Sequence, residues 1–266
     1  MSTAFLEPYI DVSSPVHRLD ARVKVVVVLT AIGAINLTPQ GAWPALAAYA
    51  VLAAAVLLLA RINARVALKR SLVALPFALM AAASVPFVRE GRVLADVPLL
   101  GWRLAITDVG LERLAAILAR SWLSLLAAAT LTVTTPFPEL VRALRGLGVP
   151  LVLAAVLSLM YRYLFVLVDE AQRLARARDA RSGSSAEGHA GGTLRWRARV
   201  TGSMLGTLFL RTYERSERIY QAMLARGYDG QVRVLDAPRL TAPQAAAGAA
   251  VAAAFGLVLV WAHILW

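Results

Sequence analysis

Two tripeptides, Ala180-Arg181-Ser182 and Ala225-Arg226-Gly227, each set an arginine at the end of a long helix-forming run. A guanidinium presents five donors in a rigid fork, suited to a carboxylate or to several backbone carbonyls in a groove of another protein. Small flanking residues let a partner's backbone come close. The chemistry implied is gripping. A helix-end arginine can also cap its own last carbonyls or meet a lipid phosphate. Two such tripeptides at two helix ends favour a partner. Ala177-Arg178-Asp179 is a competing register for the first, with an aspartate at the small position.

Residues for catalysis are not assembled. The sequence has no GxxxxGK[ST] phosphate loop, and neither lysine, Lys24 or Lys69, follows a glycine, so the chain is not expected to be an ATPase itself. His17, His189 and His263 are far apart and there is no cysteine, so no metal site is expected either. Asp169-Glu170 reads as the place where a helix leaves the membrane for water. Asp20 reads as a cap or a local partner of Arg22. Glu214 and Arg218 are spaced as an i,i+4 pair.

The elements that must carry these residues are apolar blocks. The chain is 59% hydrophobic with a mean hydropathy of +0.64, against about 45–50% apolar residues in soluble domains. The excess falls in runs at 23–37, 43–60, 72–88, 114–133, 149–168 and 245–266, of the length a helix needs to cross a bilayer. The first run reads as a retained helix, since no small-residue cleavage site follows it. A net charge of +12 could suggest nucleic acid. The basic residues cluster between apolar runs, as membrane topology requires, so no nucleic-acid partner is expected.

Charge also orders the topology. Arg61, Arg65, Lys69 and Arg70 place the second connection inside, the near-neutral segment 89–108 lies outside, and the turn at 136–150 lies inside. A full span at 149–168 would then export the 13 arginines between Asp169 and Arg239. That run, which also carries Arg162, is therefore expected to dip into the membrane or lie against it, and return. The expected fold is an all-α integral membrane protein of about five transmembrane helices, with a cytoplasmic helix pair inserted before the last span. Three regions follow: transmembrane helices over 1–133, membrane-proximal and cytoplasmic helices over 134–243 with a flexible linker at 182–192, and a last span over 244–266. Gly202 and Gly206 form a small-xxx-small pair expected to pack the two long cytoplasmic helices together.

Four ordered segments resemble the transmembrane scaffold, or T component, of energy-coupling factor transporters, in its cobalt/nickel-type subgroup. HRLDARVKVV (17–26) resembles the entry to that family's first helix, and TVTTPFPELVRALRGLGVP (132–150) its turn and short coupling helix. The segments 162–183 and 215–230 resemble its two long coupling helices. Ala225-Arg226-Gly227 follows the family pattern; the first tripeptide departs from it, with Ser182 in place of glycine. The resemblance implies a non-catalytic subunit of the bacterial inner membrane. Arg181 and Arg226 would dock two ABC ATPases, which bind the ATP and magnesium. A separate metal-binding membrane protein, the S component, would capture the substrate. Cobalt is the substrate implied, with nickel or a vitamin as alternatives. A stand-alone secondary transporter is the competing reading; it would need polar groups at mid-depth in several spans, and these are few: Asn36, Ser84, Arg120, Ser124 and Arg162.

Overall fold

In a computed structural model, the structure describes residues 14–61, 64–73, 75–85, 93–99, 102–182, 193–230 and 240–266. Most of the expected linker, with His189, lies outside the described residues, as do Arg89, Arg92, Arg233 and Arg239. The chain is helical, as expected. Among the described residues the helices are α1 (Ala21–Leu37), α2 (Trp43–Leu59), α3 (Ala64–Val73), α4 (Leu75–Ala82), α5 (Asp108–Thr134), α6 (Phe137–Gly146), α7 (Leu151–Ser182), α8 (Leu194–Ala225) and α9 (Ala242–Leu265). One feature is added in the expected outer connection: an antiparallel hairpin of β1 (Val93–Leu99) and β2 (Trp102–Thr107). Trp102, Leu104 and Ile106 alternate with other residues, the two-residue period of a strand.

The apolar runs form helices that start where polar residues cap them. Asp20 Oδ1 accepts the Arg22 amide at 2.8 Å and opens α1, which settles its role as a cap. Thr107 Oγ1 accepts from the Gly110 amide at 3.2 Å and opens α5 ahead of its apolar run. By length and composition α5, α7 and α9 can each cross a membrane, and α2 is a shorter apolar helix of 17 residues.

The third run is helical on both sides of position 74, in α3 as far as Val73 and in α4 from Leu75. The basic connection before this run is helical from Ala64. One expectation is corrected. The run at 149–168 does not dip and return, because α7 is an uninterrupted helix of 32 residues, about 48 Å long. A return would require broken helix inside the membrane.

The chain divides into two compact units, Gly148–Ala237 and Ser2–Leu147 with Pro238–Trp266. The second holds the main core, where Ala31, Ala34, Ile35, Ala45, Tyr49, Leu123 and Phe255 pack α1, α2, α5 and α9 together. Tyr49 stacks on Phe255 with ring centroids 5.7 Å apart, and its hydroxyl meets that of Thr38 at 3.3 Å. Asn36 donates to Ser124 Oγ at 3.1 Å, and Arg120 Nη2 to Pro39 O at 2.9 Å, so the polar groups within these helices mostly serve one another.

Buried Lys24 closes the same unit. Its ammonium donates to His17 O at 3.2 Å and to Thr134 O, at the end of α5, at 3.1 Å. A cation there satisfies carbonyls that the helix leaves open. α6 lies against α1 through Ala143, Ala21 and Val25.

At Gly248 α1 and α9 approach closely. A Cβ there would stand 2.0 Å from Val23 Cγ1, a branched side chain with little χ1 freedom. Gly248→Val is expected to destabilise the chain by about 1–3 kcal/mol, read as a lower thermal midpoint in detergent. Gly256→Ala, in open space on the same helix, should leave the midpoint unchanged or slightly higher.

Candidate partner-docking site

Within Gly148–Ala237, one carboxylate ties the two long helices. Glu170 on α7 is 9% exposed. Its Oε2 accepts from Arg173 Nη2 at 2.5 Å and its Oε1 from Arg211 Nη1 on α8 at 2.6 Å. Both oxygens are used, one by each helix. Glu170 lies past the apolar stretch of α7, and the guanidinium of Arg173, then that of Arg211, holds its carboxyl below the ordinary carboxylate range. The sequence offered only the i,i+3 relation of Glu170 to Arg173; nothing in it singled out Arg211.

Beyond this tie the helices run in opposite senses. Leu159, Tyr163, Val166 and Leu167 of α7 face Thr212, Ser216, Ile219 and Met223 of α8 across a largely apolar cavity of about 280 Å³. Retreating along α7 from Glu170 thus corresponds to advancing along α8 from Arg211. Arg181 lies 11 residues past Glu170 and Arg226 lies 15 past Arg211. At 1.5 Å per residue the two arginines end up on opposite sides of the tie, roughly 30–40 Å apart.

Each arginine is presented by a helix end. Arg226 is the C-cap of α8, followed by Gly227 at φ 78°. The Gly227 amide donates to Leu224 O at 2.9 Å and the Tyr228 amide to Met223 O at 3.0 Å. These are the two bonds of a Schellman cap, and the left-handed backbone at its C′ position is why glycine follows the arginine. Tyr228 and Met223 both line the apolar cavity. Ala225, Arg226 and Gly227 are all exposed. Ala180 and Arg181 are exposed in the last turn of α7, which ends at Ser182. In the competing register Arg178 is engaged, its Nη2 2.6 Å from Asp179 Oδ1. Neither Arg181 nor Arg226 has a side-chain partner among the described residues.

Two expected contacts do not form. Gly202 and Gly206 do not pack α8 on α7: a Cβ at either would meet nothing within 4 Å. The helices meet at Glu170–Arg211 and across the cavity instead, away from these glycines. Glu214 and Arg218 make no ion pair among the described residues; Glu217 accepts from Gln221 at 3.0 Å in the same stretch. Of the apolar residues on α8, Ile219 and Met223 turn toward α7, whereas Leu205 and Phe209 are 61% and 69% exposed. Exposed apolar side chains of this kind are open to lipid or to a partner.

Residues 12–235 match the CbiQ family, described as cobalt transport protein. The chain belongs to this family. It is 32% identical over 237 residues to a putative fused cobalt transport protein CbiMQ of Methanocorpusculum labreanum, covering 86% of this chain and 38% of that protein. To the energy-coupling factor transporter transmembrane protein EcfT of Limosilactobacillus fermentum it is 31% identical over 134 residues, covering 47% of this chain and 49% of that one. To a putative ABC transporter ATP-binding protein of Bifidobacterium longum it is 31% identical over 243 residues, 85% of this chain and 30% of that protein. The chain thus spans between about a third and half of these curated relatives.

The tie and the spacing can be measured together. The chain has no cysteine, so Ala180→Cys with Ala225→Cys gives two unique spin-label sites. A single narrow distance distribution at roughly 30–40 Å is expected, and Glu170→Ala should broaden it. Because the folded carboxyl titrates below the ordinary carboxylate range, the tie is complete at neutral pH and is lost only as pH falls through the lowered value. The distribution should therefore stay narrow at pH 5 and broaden only in stronger acid.

Proposed function

We propose that this chain is the transmembrane scaffold of an ATP-driven importer of the energy-coupling factor type, with cobalt as substrate. It catalyses nothing itself. Two ABC ATPase subunits, which bind the ATP and magnesium, dock at Arg181 and Arg226. A metal-binding membrane subunit captures the cobalt, and the whole assembly sits in the bacterial inner membrane.

The observation that carries this reading is the arrangement of the two arginines. Two exposed, unengaged guanidinium groups stand at the ends of helices of opposite sense, tied near their crossing by Glu170. Two separate gripping points suit two copies of a similar partner. The exposed Leu205 and Phe209 of α8 suit an apolar partner, here the substrate-capture subunit. The CbiMQ, EcfT and ATP-binding-protein relatives support the same assembly by their names.

The uninterrupted α7 fits one half of the sequence expectation. With no dip and return, its apolar stretch lies against the membrane, and its arginine-rich half and α8 remain cytoplasmic. ATP-driven motion at either arginine then reaches the membrane-side residues of α7 through the Glu170 tie.

Arg181→Glu and Arg226→Glu test the docking. Loss of a hot-spot arginine costs about 2 kcal/mol or more, roughly 30-fold in affinity. Each single variant should retain less ATPase on co-purification, and the double variant should abolish cobalt uptake while still inserting. Normal uptake by the double variant would refute the docking sites.

A further inference from the structure

At one end of the unit built from α1, α2, α5 and α9 there is a second, basic cavity that the docking sites do not use. It has a volume of about 450 Å³ and is lined by Ser14, Pro15, Arg18, Leu19, Arg61 and Gln244. The start of α1, the end of α2 and the start of α9 meet here. Two of the six lining residues are arginines and none is a carboxylate. Neither Arg18 nor Arg61 has a side-chain partner among the described residues, and both are exposed.

The backbone around the cavity is held in place. Gln244 Nε2 donates to Arg18 O at 3.1 Å, which fastens the first turn of α9 to the segment before α1. His17 and Ser14 are joined at 2.7 Å, and Lys24 holds His17 O. Arg61 is the unusual element. It follows the end of α2 with φ 51°, the one left-handed non-glycine residue among those described. Glycine is the ordinary occupant of such a position after a helix. An arginine held there against its backbone preference points to a use for the side chain.

We propose that this cavity binds the phosphate of an anionic phospholipid headgroup. Two guanidinium forks give charge-assisted bonds to phosphate oxygens. Pro15 and Leu19 supply apolar wall beside them. The cavity opens at the start of α9, a helix long and apolar enough to cross a membrane, on the side that also carries Arg22 and Lys24, where anionic lipid headgroups lie. The proposal is independent of the ATPase-docking reading.

The test is native mass spectrometry of the full chain in detergent, titrated with phosphatidylglycerol or with phosphatidylcholine. Arg61→Gly is the informative variant, because glycine suits the left-handed backbone; a purely structural role predicts an unchanged or more stable protein that binds lipid as before. The expected result is at least a fivefold preference for phosphatidylglycerol in the native chain, lost in Arg61→Gly and in Arg18→Gln, with thermal midpoints retained. An undiminished preference in both variants would overturn the site. Tighter binding of inorganic phosphate than of the lipid would reassign the cavity to a soluble anion and overturn the lipid proposal.

Discussion

The arrangement of α7 and α8 depends on one carboxylate. Glu170 spends one oxygen on its own helix and the other on α8, so it fixes where α7 and α8 cross and how each is rotated. A nearly buried carboxylate is tolerable only when paired, and breaking such a pair strands its partner charge. Without Glu170 the crossing would bring Arg173 and Arg211 together as like charges. With it, the two helices become levers from a shared point, each ending in an arginine that no described residue engages.

The two units divide the physics between them. In one, small residues let helices close up: Gly248 against Val23, and alanines throughout the main core. Polar groups there are spent on internal bonds, as with Lys24 and Asn36, while Arg120 pairs Nη2 with Pro39 O and leaves its buried Nε without a partner among the described residues. In the other, α8 has no buried residue along its whole length. A 32-residue helix so exposed, bearing large apolar side chains, does not stand alone in water. Its exposed apolar surface is what the proposed assembly would cover, alongside the exposed Arg181 and Arg226.

Much of this was legible in the sequence because membrane helices announce themselves by length and composition. The cores of α1, α2, α5 and α9 fall where the apolar runs lie. The starts were less legible, since Thr107 extends α5 through a capping bond that hydropathy does not register. Gly202 and Gly206 show the limit of motif reading: a small-xxx-small pair says that a helix could approach, and open space shows that among the described residues none does. The reverse holds for Glu170, whose decisive partner is 41 residues away. The αL glycine at 227 was legible as part of a tripeptide, while its physical reason, a Schellman cap that leaves Arg226 at the helix tip, needed the backbone.

The central claim is that the two helix ends hold two different ATPase subunits, and cross-linking tests it most directly. Cysteines placed singly at Ala180 and Ala225, and then together, would be treated with a short thiol-to-amine linker in membranes holding the whole transporter. The account predicts an adduct with one ATPase from each single variant, and a species carrying two ATPases from the double variant. Adducts from both positions to one and the same ATPase copy, or from neither, would contradict it.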